Sequence, residues 1–121
     1  MWNLPSVEKL RKIPKLYETD GVEAKEKVIH MHFFVAQSDW FVAEFDGKDI
    51  FFGFVCLNGW KELAEWGYFS FQELKDLKVK QPFVLDGERH VVELEVEFDE
   101  FWDIREAKDV KLISECQVWK Q

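Results

Sequence analysis

The residues best suited to chemistry are few and scattered. His30-Met31-His32 puts two imidazoles on one face of an extended strand, about 6.6 Å apart along it, and His90 stands just before a run of glutamates. Three histidines, or two with a glutamate, form the ligand set of a zinc site that keeps an open position. The same His-x-His pattern serves equally as a solvated strand face, with His30 and His32 pairing across to Glu93 or Glu95. Glu44 and Asp46 flank a turn, and paired carboxylates do general acid–base work where burial separates their pKa values. Asp46, however, has a turn to make. Cys56 lies in an apolar run with no Lys, Arg or His beside it to stabilise a thiolate, so it reads as a small inert hydrophobe. Gly-x-Ser-x-Gly, His-Glu-x-x-His and the glycine-rich phosphate loops are absent.

Acidity is the stronger feature. The 121 residues carry 24 acids against 16 Lys and Arg, a net charge of −8. Glu93, Glu95 and Glu97 recur at the strand period and project from one face, with Asp99, Glu100 and Asp103 extending the charge. Like charges in such a ladder repel, and neighbouring cations relieve the cost. Read simply, the ladder is a solvated outer face. Read functionally, it is a surface for a basic protein, or an imitation of a phosphate row that fills the groove of a DNA-binding protein. Direct grip on nucleic acid is disfavoured, because phosphate binding needs surplus Lys and Arg. Trp2, Trp40, Trp60, Trp66, Trp102 and Trp119 all fall near segment ends, and Trp40 and Trp102 join the acidic strip as candidate contact residues.

Composition and pattern say what must hold these groups. Apolar residues reach 47% and aromatics 17%, too many for a disordered chain, and the length suits a single domain, residues 1–121. No apolar run reaches membrane-span length, and Met1 to Leu16 is too charged for a secretory leader. Two cysteines make no disulfide framework, so a cytoplasmic, reduced setting is expected. Leu4, Val7, Leu10 and Ile13 mark a short helix over 3–13 that Pro14 ends. Glu23 to Lys27 reads as a solvated loop. In the strand 27–35, Ile29, Met31, Phe33 and Val35 share a face. In 40–45, Phe41, Ala43 and Phe45 oppose Trp40, Val42 and Glu44. Asp46-Gly47 then turns the chain into Ile50 to Leu57, apolar on both faces and so interior to a sheet. Ser70 and Glu73 form a capping box for a helix ending near Lys78. Pro82 to Leu85 and Val91 to Phe98 pair around Asp86-Gly87, with Val92, Leu94, Val96 and Phe98 inward. Asp103 to Glu106 suggests a last short helix, and Val110 to Val118 a closing strand. The result is an α+β domain with a mostly antiparallel sheet of five to six strands and two or three short helices.

Three blocks of this chain, with the pair Phe33-Phe34 between the first two, resemble a known family. They are Pro14-Lys15-Leu16-Tyr17-Glu18-Thr19-Asp20-Gly21, the run from Trp40 through Glu44-Phe45-Asp46-Gly47 to Gly53-Phe54-Val55, and Glu65-Trp66-Gly67-Tyr68-Phe69-Ser70-Phe71-Gln72-Glu73-Leu74. In order and spacing they are similar to the bacterial family catalogued as domain of unknown function 2958. The resemblance covers about residues 10–100 and leaves 104–121 as a C-terminal extension. Trp60 to Ala64 stands as an insertion, and Trp66 replaces the family's usual Leu. The resemblance implies a mobile-element context and brings no established activity.

Together these features point to a small acidic cytoplasmic module that binds an unidentified, possibly basic, protein partner without catalysis, cofactor, nucleic acid or membrane. The rivals are a nucleic-acid mimic acting on a defence or DNA-processing protein, and a small metal-dependent hydrolase built on His30, His32 and Glu44.

Overall fold

The computed structural model describes residues 1–117. The fold is α+β. Its centre is a five-stranded antiparallel sheet made of β2 (Met31–Val35), β3 (Ser38–Phe45), β4 (Ile50–Cys56), β5 (Glu65–Ser70) and β8 (Glu97–Phe98), in the spatial order β5-β4-β3-β2-β8. Two smaller antiparallel pairs flank it: β1 (Val28–Ile29) with β9 (Arg105–Glu106), and β6 (Lys78–Leu85) with β7 (Glu88–Glu95). Three short helices complete the chain: α1 (Val7–Arg11), α2 (Phe71–Asp76) and α3 (Lys111–Cys116).

The β3 and β4 runs are apolar on both sides, so the sheet must be covered on both. One face buries Met31, Phe33, Val35, Trp40, Val42, Phe45 and Phe51 under Ile13, Phe71, Leu74, Val96 and Phe98. The other buries Ile29, Phe41, Ala43 and Phe54 under Ala107, Val110 and Ile113. The C-terminal segment thus roofs the second core through residues 107–116.

The Asp46-Gly47 hairpin forms as its sequence indicates. Gly47 takes φ +86°, and Asp46 Oδ1 accepts from the N–H groups of Lys48, Asp49 and Ile50 at 2.7, 2.7 and 3.0 Å. Burial opposes ionisation of this carboxyl, but the three N–H groups, helped by the Lys48 charge, hold it below the usual carboxylate range. Ser70 caps α2 by accepting from the Glu73 N–H at 3.1 Å, and Asp49 reinforces that end by accepting from Ser70 Oγ and the Gln72 N–H.

Several expectations give way. The N-terminal helix starts only after its cap, Ser6, and Leu4 and Val7 stay exposed, so its apolar stripe is half used. The helix over 71–76 does end near Lys78, where β6 begins. Arg105 and Glu106 pair with β1 rather than coil, and 111–116 is α3 rather than a strand; Val118 and Trp119 lie outside the described residues. Lys27 is buried, not solvated. Two breaks in pleating explain the wrong faces. The ladder is interrupted at His30, which puts Ile29 in the second core and Met31 in the first. A bulge between Val42 and Glu44 sends Phe45 to the face of Trp40 and Val42.

Gly53 sits opposite Val42 where the strands approach most closely: a Cβ there would lie 1.7 Å from the Phe41 carbonyl oxygen. Gly67, its neighbour on β5, has open space around the same position. Gly53→Ala is expected to lower stability by ~3 kcal/mol or more, or to prevent folding, whereas Gly67→Ala stays within ~1 kcal/mol of the parent. Urea denaturation of the two variants checks both.

Candidate functional site

The three sequence blocks converge on one carboxylate. Glu44, only 3% exposed, accepts from the Tyr17 N–H at 2.9 Å through Oε1. Its Oε2 accepts from the Thr19 N–H at 3.2 Å and from the Thr19 hydroxyl. Lys27 Nζ then donates to the Thr19 carbonyl and hydroxyl oxygens at 2.6 and 2.9 Å. The bulge in β3 makes this possible, because it turns Glu44 away from the face of Trp40 and toward the Phe52 side. Tyr17 holds φ 73°, a left-handed backbone that a bulky residue adopts at a cost of order 1–2 kcal/mol. Its N–H bond to Glu44 offsets that strain. Tyr68, from the third block, lies near this group: burial, chiefly, and then Tyr17 and the Glu44 charge raise its phenol pKa. Every oxygen of Glu44 is engaged, so the carboxylate anchors the 17–19 turn to the sheet rather than offering a free base.

His32 is equally committed. Its ring stacks on Phe41 with centroids 4.6 Å apart. Nε2 lies 2.7 Å from Asp39 Oδ1 and Nδ1 lies 2.9 Å from Asp99 Oδ2. This bridge ties β2 to β3 on one side and to the segment after β8 on the other. The expected pairing with Glu93 or Glu95 is replaced by these aspartates. His30 instead lines a small cleft of about 170 Å³ with Lys9, Lys12, Phe98, Asp99 and Trp102, and burial pushes its pKa down. His90 stacks on Phe83 in the β6–β7 hairpin. Among the described residues, no three His, Cys, Asp or Glu side chains gather as a metal-binding set. His30, His32 and Glu44 thus serve three separate local structures.

The acidic strip is paired along its length. Lys78 Nζ reaches Glu95 at 3.3 Å and Glu93 at 3.8 Å, and its hydrogen bond holds the Glu95 pKa down. Glu97 accepts from Trp2 Nε1 at 3.1 Å, and Glu100 from Asn3 Nδ2 at 3.4 Å. Asp99 receives His32 and the Phe101 N–H. The glutamates face outward, as alternation requires, but opposite the lysines of β6: Lys78 faces Glu95 and Lys80 faces Glu93. The two candidate tryptophans, Trp40 and Trp102, are packed against the body. Trp40 is 5% exposed in the first core. Trp102 is half-buried, donates from Nε1 to the Ile29 carbonyl at 2.9 Å, and carries the Arg105 guanidinium 4.0 Å above its ring.

Besides Trp2 and Phe101 beside the acidic strip, exposed apolar surface collects on the β6–β7 ribbon. The β6–β7 ribbon turns at Asp86-Gly87, both with positive φ, and leaves the body as an arm. At its base, Val79 and Leu94 pack on the first core while the Lys–Glu pairs line the opposite face. Toward its tip, Phe83, Leu85 and Val92 lie on one face and Val84 and Val91 on the other. Val84 and Val91 are 68% and 65% exposed. Two-stranded ribbons are marginal alone, and a contiguous exposed apolar patch on one marks a contact surface. Sequence pattern had a signal for this: Pro82-Phe83-Val84-Leu85 and Val91-Val92 are apolar at consecutive positions, which no one-sided strand needs.

No family model matches the chain, no curated protein matches it, and no solved structure matches it. No helix among the described residues is long and apolar enough to cross a membrane.

Glu44→Gln places an amide where two backbone N–H groups and a hydroxyl all seek an acceptor. A loss of ~2–3 kcal/mol in denaturant unfolding is expected, with Glu44→Asp failing to restore it because the shorter stem withdraws from Tyr17.

Proposed function

We propose that this protein is a non-catalytic accessory module that binds a protein partner through its β6–β7 arm. The observation that carries this is the arm itself, a ribbon standing off the sheet with apolar side chains on both faces of its outer half. Full burial of a Val, Leu or Phe is worth roughly 1.5–3 kcal/mol, so covering even part of five such residues supplies several kcal/mol of docking energy. The enzyme reading has less support, since Glu44 and His32 are bonded on all sides and burial, chiefly, raises the Cys56 thiol pKa. The resemblance to the domain of unknown function 2958 family, with its mobile-element context, fits an accessory role, and both cysteines being free fits a cytoplasmic one.

A nucleic-acid mimic is the second reading, motivated by the −8 charge. It needs acids presented to a partner, whereas Glu93, Glu95 and Glu97 are each bound within the chain.

The two separate by pulldown from the native host. Val84→Asp with Val91→Asp alters only exposed arm positions and is expected to abolish partner capture with the melting temperature essentially unchanged. The triple change Glu93→Gln, Glu95→Gln, Glu97→Gln is expected to leave capture intact. The reverse pattern overturns the arm reading in favour of an acidic contact surface.

A further inference from the structure

We infer that the outer edge of β5, unpaired among the described residues, is a second docking site, which takes an extended peptide segment carrying alternate apolar side chains and flanking Lys or Arg as a sixth strand of the central sheet. The inference stands apart from the arm, which lies at residues 78–95.

A strand edge presents unpaired N–H and C=O groups, and proteins ordinarily blunt it with brevity, charge, proline or a covering group. Among the described residues, every other edge is blunted. β8 is two residues long, and the Asn3 side chain occupies it, donating from Nδ2 to the Phe98 carbonyl at 2.8 Å and accepting from the Phe98 N–H at 3.1 Å. β6 carries Lys78, Lys80 and Pro82; β7 carries Arg89, Glu93 and Glu95. The β1–β9 pair is two residues long on each side. β5 reads Glu65-Trp66-Gly67-Tyr68-Phe69-Ser70. It is six residues long, has no Lys, Arg or Pro, and forms the outer strand of the sheet.

Beside that edge lies an apolar groove of about 430 Å³. Trp40, Val55, Gly67 and Phe69 line it from the sheet, and Leu57, Trp60 and Leu63 from the connection before β5. Leu57, Trp60 and Leu63 are exposed. Gly67 leaves open space in place of a side chain, which admits an incoming residue against the strand. An added strand would hydrogen-bond to β5 through its backbone and drop every second side chain into this groove, the usual division between affinity and selectivity in strand addition. Charge sets the rest of the occupant. Glu65 lines the groove, and Glu62 is exposed in the turn that contributes Leu63, where Lys61 is already held by Glu115; with the chain as a whole at −8, basic flanks are favoured and acidic ones repelled.

The test is a titration of the ¹⁵N-labelled full chain, followed by amide shifts, with three capped heptapeptides. These are Lys-Val-Thr-Leu-Thr-Val-Lys, the same with Glu at both ends, and the first with Pro replacing Leu. The lysine peptide is expected to shift the amides of residues 65–70 and the Trp60 indole, and to weaken about fivefold or more at high salt. The glutamate and proline peptides are expected to leave them in place. Gly67→Val, which fills the groove floor, and Leu63→Glu, on its exposed wall, are each expected to abolish the shifts while the rest of the spectrum persists. The inference is overturned if no peptide moves β5, if the shifts fall on the arm, if the proline peptide binds as well, or if β5 shifts with protein concentration alone, which would make the occupant a second copy.

Discussion

A five-stranded sheet with oily residues on both faces of its central strands cannot rest on a single layer, and the extra residue in β3 answers that constraint. Regular pleating would keep Glu44 on the face of Trp40 and Val42, inside the first core, where an ionised carboxylate has no partner and desolvation costs several kcal/mol. The bulge between Val42 and Glu44 transfers the side chain to the other face, where Tyr17, Thr19 and, through Thr19, Lys27 complete its bonding. It also gives Phe45 to the first core, against Phe51. One inserted residue thus supplies an aromatic to one layer and an anchored turn to the other.

The rest of the architecture follows from covering the two layers. Helices α1 and α2 and the Val96–Phe98 segment close the first; α3 and the turn before it close the second. His32, held between Asp39 and Asp99 and stacked on Phe41, ties the covering segment after β8 back to the sheet. The groups with the most chemical promise are spent on architecture. Much of the surface left unspent is apolar, on the arm and beside β5, and it is this surface that the proposed binding roles use.

Much of the fold is legible in the sequence because it rests on local rules. Asp46-Gly47 and Asp86-Gly87 allow few alternatives, Ser70 caps the helix it precedes, and the alternation of Leu94, Val96 and Phe98 places them correctly. Legibility fails where tertiary partners decide. The break at His30 and the bulge at Ala43 leave no mark in periodicity, so Ile29, Phe45 and Glu44 take faces that simple alternation denies them. Val92 belongs to the inward series by pattern, yet it lies beyond the body that would bury it, since alternation gives a face without saying how far the core extends. Residues 111–116 alternate like a strand but sit on Ala107 and Val110 as a helix. The acidic strip misleads for a related reason: Glu93 and Glu95 are conspicuous along the chain, while the lysines opposite them stand some fifteen residues away and come into register only through the hairpin.

The central sheet is hydrogen-bonded without the arm, whose two strands pair only with each other. Native-state amide hydrogen exchange across a range of low denaturant concentrations tests this separation directly. The amides of β3 and β4 are expected to exchange only through global unfolding, while those of residues 80–92 open by local fluctuations at much lower free energy and with little denaturant dependence. Arm amides that exchange together with β3 and β4, at the same free energy and slope, would contradict it and make the arm part of the cooperative core.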